Sequence, residues 1–187
     1  MFLLPATALV LASVLLAGGR VQQLRELRIR AAWLLTVSVA LQVLAMAILP
    51  NAARAELEAM HIGSYAVAAF VVILNLGIRG LPTIGLGGLL NATAIVANGG
   101  TMPASQTALA AAGLTNSPNG FENSAMLADP KLSFLGDTFS IPASWPWHNV
   151  FSVGDVLIVV GAVILLHFAC GSRLARISPV ARMCRWF

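Results

Sequence analysis

The chain has 187 residues, 58% of them hydrophobic and only 10% charged, with a formal net charge of +4. Soluble domains average about 25% charged residues, and a core of this size cannot hide so much apolar surface, so the composition argues against a water-soluble domain and makes lipid the expected solvent. Nucleic acid is not an expected partner, because the basic residues are confined to particular segments between apolar runs.

Those runs cover about residues 2–18, 31–49, 62–78, 81–97 and 153–170. Each is near the length that crosses a hydrocarbon core of ~30 Å at ~1.5 Å per residue. The expected fold is an all-α integral membrane domain over residues 1–187, with five transmembrane helices and a long, partly ordered outer loop at 98–152. If every run crosses, Arg20, Arg25, Arg28, Arg30, Arg79, Arg173, Arg176, Arg182 and Arg185 share one side, and only Arg54 and Lys131 lie on the other. Lysine and arginine bias sets orientation, so the N-terminus is expected outside and the C-terminus in the cytoplasm. Glu26 is the one inner acid. The inner side then carries +8, and the outer side −4 through Glu56, Glu58, Glu122, Asp129, Asp137 and Asp155. The expected partner of the inner face is an anionic leaflet, where each basic group is worth ~1 kcal/mol. Cys170 and Cys184 both fall on that reducing side, so neither a disulfide nor a zinc site is expected.

The first run lacks a basic stretch before it, and its charges follow it. Despite the small residues of Leu15-Leu16-Ala17-Gly18-Gly19, it reads as an uncleaved helix rather than a secretory signal. Val21, Leu24 and Leu27 recur among the arginines of 20–30, as in a short amphipathic turn at headgroup depth. Trp33 sits where the second run enters the interface, and Pro50-Asn51 stops that run. Arg54, Glu56 and Glu58 read as a solvated connection. Pro82 opens the fourth run where a missing N–H costs least, and Asn98-Gly99-Gly100 suits a left-handed helix cap. In the outer loop, Ser105 is placed to cap a short helix that runs to Ala112 and closes at Gly113. Residues 114–130 are polar. Apolar character returns at Leu132, Phe134, Leu135, Phe139 and Ile141, and Trp145-Pro146-Trp147-His148 precedes the last run. No internal repeat is visible.

In lipid, small and polar residues mark the faces where helices meet. Ser38, Gln42 and Ala45 form one such stripe, Ser64, Ala68, Val71 and Asn75 a second, and Gly87, Asn91, Ala94 and Asn98 a third. Unpaired amides there would cost several kcal/mol. Gln42, Asn75 and Asn91 are therefore expected to face the bundle interior, with Gln42 and Asn91 as candidate partners of each other. The apolar runs carry no mid-membrane acid, lysine or arginine of the kind that marks ion-coupled transport.

Three histidines are available. His61 and His148 flank outer helix ends and, with Asp137 and Asp155, make a loose candidate set for a divalent metal or for acid–base chemistry. His167, near the inner end of the last run, is the one candidate axial ligand for a haem or chlorin; no cofactor is otherwise expected. Ser152-Val153-Gly154-Asp155 has the spacing of a capping box, which gives Asp155 a structural role.

The stretch Asn91-Ala-Thr-Ala-Ile-Val-Ala-Asn-Gly-Gly-Thr-Met-Pro103, with Leu135-Gly136-Asp137 leading to Pro142 and Asn149-Val-Phe-Ser-Val-Gly-Asp155, resembles a bacterial family of small polytopic membrane proteins described only as a domain of unknown function. The resemblance covers most of the chain. It implies a membrane fold in the bacterial cytoplasmic membrane and no established activity. Its recurring residues on this chain are Asn91, Asn98, Gly99, Gly100, Met102, Pro103, Gly136, Asp137, Asn149, Phe151, Gly154 and Asp155, and they gather at the outer ends of the fourth and fifth runs.

Three functions are consistent with this reading. The leading one is a non-enzymatic accessory or scaffold subunit that docks other membrane subunits through its small-residue faces. The second is a small-molecule or lipid-binding protein with a pocket under the outer loop, involving Asn91, Asn98, Gly99, Gly100, Asp137, His148 and Asp155. The third is an outer-face metal enzyme using His61, His148, Asp137 and Asp155.

Overall fold

The computed structural model describes residues 3–45, 53–114 and 124–177. The expected stop at Pro50-Asn51, most of the 114–130 insert, and Glu122, Arg182, Cys184 and Arg185 lie outside the described residues. The chain is mostly helical: α1 (Leu3–Leu16), α2 (Trp33–Val43), α3 (Arg54–Leu74), α4 (Leu81–Ala97), α5 (Gln106–Ala112), α6 (Val153–Ala169) and α7 (Arg173–Ile177). Among the described residues one helix is long and apolar enough to cross a membrane, over Ala55–Leu74; α1, α2, α4 and α6 are apolar but shorter. At ~1.5 Å per residue α3 measures ~31 Å, and α4 and α6 ~26 Å each.

Helix α3 differs from the expected 62–78 run at both ends. It begins at Arg54, so Glu56 and Glu58 lie on the helix rather than in a solvated connection. Ala55, Leu57, Ala59 and Met60 are good helix formers, and Glu56 in the first turn complements the helix dipole. Hydropathy alone discards such a charged turn. The helix ends at Leu74 because the Asn75 side chain donates to the Val71 carbonyl (2.7 Å) and turns away to another segment.

The α4–α6 contact is the most extensive in the bundle. The helices run antiparallel, with Gly80 and Gly87 of one chain segment against Gly161 and Gly154 of the other. A methyl on Gly161 would come 2.7 Å from the Ile84 nitrogen and 2.8 Å from the Gly80 oxygen, and one on Gly87 would strike the Gly154 carbonyl. The two backbones therefore touch, as small residues permit in helix pairs. Helices α2 and α3 join through polar groups: Ser38 Oγ donates to the Ser64 carbonyl (2.8 Å), and Gln42 Nε2 donates to Ser64 Oγ (3.1 Å). All three small-residue stripes thus face other helices of the same chain. They are not open faces for partner subunits, which removes the docking surface expected from sequence.

The ends of α1 and α6 are built alike. Each closes on a left-handed glycine, Gly18 (φ +71°) and Gly171 (φ +60°). In each, the next residue donates back into the last turn, Gly19 to Val14 (2.9 Å) and Ser172 to His167 (3.1 Å), as in a Schellman cap. The two caps then bond to each other reciprocally: the Arg20 N–H donates to the Cys170 carbonyl (2.9 Å) and the Arg173 N–H to the Ala17 carbonyl (3.0 Å). The sequences Ala17-Gly-Gly-Arg20 and Cys170-Gly-Ser-Arg173 thus occupy matching positions. This is a local correspondence the linear reading missed.

The 98–152 segment is more than helical, which corrects the all-α expectation. Strand β1 (Met102–Pro103) pairs in parallel with β2 (Ser124–Ala125), and Ala104 bridges Asp137 on its other side. Strands β3 (Phe139–Ile141) and β4 (Asn149–Phe151) form an antiparallel hairpin in the register Phe139↔Phe151, Ser140↔Val150, Ile141↔Asn149. Helix α5 has its expected caps: Ser105 Oγ accepts the Ala108 N–H, and Gly113 is left-handed. It packs on the hairpin, so Ala104, Ala108, Leu109, Ala112 and Val150 make a small core separate from the bundle. This cap sits on the end of the bundle where α4 finishes and α6 begins.

Candidate functional site

Beneath the cap, polar side chains from α3, α4, α6 and the cap converge. Ser152 and Asp155 form the capping box expected from their spacing: Ser152 Oγ accepts the Asp155 N–H (3.0 Å), and Asp155 Oδ2 accepts the Ser152 N–H (2.9 Å). Asn91 of α4 completes it. Its Nδ2 donates to Asp155 Oδ1 (2.9 Å), and its Oδ1 accepts from Ser152 Oγ (2.8 Å). Gly154 is required here, because any side chain at that position would occupy the space of the Asn91 amide. Asn91 and Gln42 do not pair, contrary to expectation. Helix α2 packs on α3 and α4 on α6, so each amide meets the polar groups of its own neighbour.

Asp137 is buried at 6% exposure. Its backbone is zipped to β1, N–H to the Pro103 carbonyl (2.9 Å) and carbonyl to the Ser105 N–H (3.0 Å), while its carboxylate accepts from Ser124 Oγ of β2. Gly136 precedes it because a side chain there would collide with the Pro103 carbonyl. Burial pushes the Asp137 carboxyl up to about 6; the Ser124 hydrogen bond opposes that rise, and the charge of Asp155 adds to it. Tyr65 of α3 lies within electrostatic reach of both carboxylates. It packs on Ala94, Ile95 and Met102, and edge-on to the His61 ring (5.2 Å between centroids, 89°). His61 is fully buried. Tyr65 is the one tyrosine of the chain. Its position beside Ser64 of the α3 stripe was the signal that could have found it.

The other expected residues lie elsewhere. His148 is exposed in the β3–β4 connection, its Nδ1 3.3 Å from the Trp145 carbonyl. Gly99 and Gly100 have the expected left-handed backbone, and Gly100 packs against Glu58. Asn98 closes α4 by donating to the Ala94 carbonyl (2.7 Å) and pairs at two points with the Lys131 backbone, at 2.8 Å each. Asn75 closes α3 in the same way: its Nδ2 donates to the Arg30 carbonyl (2.9 Å), and its Oδ1 accepts the Arg30 N–H (2.7 Å). The residues after the two clamped basic positions, Ala31 (φ +56°) and Leu132 (φ +52°), are the only non-glycine residues with positive φ among those described.

Among the described residues no three histidine, cysteine, aspartate or glutamate side chains lie close enough together to hold a metal ion. The outer-face set of His61, His148, Asp137 and Asp155 is not assembled, because the hairpin carries His148 outward while the helix cap retains Asp155. Of the pocket set, Asn91 bonds to Asp155 of α6 and Asn98 to the Lys131 backbone. His167 is buried with Nε2 3.1 Å from Ser13 Oγ and Nδ1 2.8 Å from Ser172 Oγ. Ser13 donates its own proton to the Val10 carbonyl (2.7 Å), so its oxygen is left to accept from Nε2. A haem or chlorin on His167 would have to break one of these bonds.

A mostly helical chain with a strand-bearing cap locked to its bundle by these asparagine and aspartate contacts is the class of protein this arrangement defines. The chain belongs to DUF5317, a family of unknown function whose model matches residues 26–167. That stretch holds Tyr65, Asn91, Asp137, Ser152 and Asp155. No curated protein and no solved structure matches the chain.

Proposed function

We propose that this chain is a multi-pass protein of the bacterial cytoplasmic membrane, with five crossing helices, the cap outside and the arginine-rich end in the cytoplasm, acting as a non-enzymatic accessory or scaffold subunit. The observation that carries the reading is where the apolar side chains point. Only 22% of the apolar window of α3 is buried within the molecule, and Leu9, Phe70, Ile73, Leu89 and Val160 stand exposed on four helices. At ~25 cal/mol per Å² this exposure is costly in water and free in hydrocarbon. Orientation is supported by the contacts at helix ends. Arg20, Arg30, Arg79 and Arg173 belong to the end where α1, α3 and α6 finish, opposite the cap.

The scaffold role is supported by how the polar groups under the cap are used: they hold the cap to α4 and α6. A rigid outer platform results, and it presents Phe134 (67% exposed), Trp145 (58%) and Trp147 (53%). Aromatic residues of this kind are enriched in interface cores. Gentle extraction of the tagged full chain should copurify partner subunits at fixed stoichiometry, and Trp145→Ser with Trp147→Ser should lose them. A lone monomer unaffected by those substitutions would overturn the role. With Cys170 and Cys184 replaced by alanine, Ala110→Cys should react with an impermeant maleimide on intact cells, and Arg28→Cys only after permeabilisation.

A further inference from the structure

We propose that the paired turns at the ends of α1 and α6 form a binding site for the phosphate of an anionic phospholipid, with Arg20 and Arg173 as its cationic walls. The inference rests on the membrane reading above. The reciprocal bonds between residues 17–20 and 170–173 fix the two arginines at equivalent positions on either side of one small platform of backbone. Arg79 joins them at the same end, its guanidinium 4.5 Å from the centroid of the Phe168 ring. Glu26 is the only acid among the described residues of this end, and none of the three arginine side chains is ion-paired among the described residues. The site therefore carries uncompensated positive charge.

The surroundings select the occupant. Leu15 (56% exposed) and Leu16 (87%) lie just before the Arg20 turn, and Leu174 (58%) directly follows Arg173. Exposed leucines within a few residues of these arginines fit a ligand with a phosphate head and acyl chains. They do not suit free phosphate or a nucleic acid, which would leave that apolar surface in water. The two caps use the terminal helix carbonyls internally, so the arginines are not needed to satisfy them.

The test compares lipids retained by the purified full chain in nanodiscs of equal phosphatidylglycerol and phosphatidylcholine content. The wild type should enrich phosphatidylglycerol in its bound fraction, and millimolar inorganic phosphate should not displace it. Arg20→Gln with Arg173→Gln should lower that enrichment by about tenfold. Arg28→Gln with Arg30→Gln removes the same charge from the neighbouring exposed segment and should lower it by less than about threefold. Equal losses in the two double variants, no enrichment in the wild type, or displacement by inorganic phosphate would each overturn the site. A chain that stays in the aqueous fraction of cells would instead overturn the membrane reading itself.

Discussion

At the scale of single residues, two side chains under the cap make opposite contributions. Asn91 satisfies both Ser152 and Asp155 at the start of α6. Asn91→Ala should destabilise the fold by about 1–3 kcal/mol, because it leaves buried polar atoms short of a partner. A lowered Tm in detergent micelles, with faster proteolysis of the cap, checks this. Asp137 works against stability at neutral pH. Its folded pKa of about 6 lies above the ~3.9 of an ordinary aspartate, so the folded state holds the proton more tightly than the unfolded chain does. The contribution of Asp137 to stability should be greatest below about pH 4, fall as pH rises through the window to about 6, and then level off. The loss should be on the order of 3 kcal/mol. Asp137→Asn keeps an acceptor for Ser124 and should flatten that part of the Tm–pH curve. An unchanged slope between pH 4 and 6 would assign the effect to another group.

Between elements, the controlling feature is backbone contact of α4 with α6. Gly154→Ala drives a methyl into the Asn91 amide, while Gly88→Ala on the same helix pair meets nothing within 4 Å. The first should cost several kcal/mol, because the neighbours are backbone and a fixed amide. The second should gain up to ~1 kcal/mol, as alanine replaces glycine in a helix interior. Thermal unfolding of the two variants side by side separates packing from propensity; equal effects would show that the helices can slide apart cheaply. The same contact explains why the docking faces expected from the stripes are closed. Glycine and asparagine spacing announces a helix interface, and the partner helix here is in the same chain.

For the molecule as a whole, the exposed apolar belt around α1, α3, α4 and α6 is the dominant physical fact. Removal of detergent should aggregate the purified chain, whereas transfer to nanodiscs should keep it monodisperse. Size-exclusion chromatography before and after the exchange measures this. The proposed topology distributes the tasks between the two ends: a cap with exposed aromatics on one side, and paired arginine-bearing turns on the other. His167 stiffens that second end by tying α6 to α1 through Ser13 and to the α7 turn through Ser172.

Much of this was legible in the linear chain, and the legible part is local. The caps of α5 and α6, the left-handed Gly99-Gly100 turn and the inward stripes depend on residues three or four apart, so their spacing suffices. The early start of α3 was hidden because its first turn is charged, and the short strands were hidden because two or three residues carry no readable period. What the tertiary structure alone decided is the partner of each polar group. Asn91 meets Asp155 across 64 positions, and Ser13 meets His167 across 154. Such pairs exist only once the helices have chosen their neighbours, because a buried amide or imidazole takes whichever donor or acceptor the packing brings within ~3 Å.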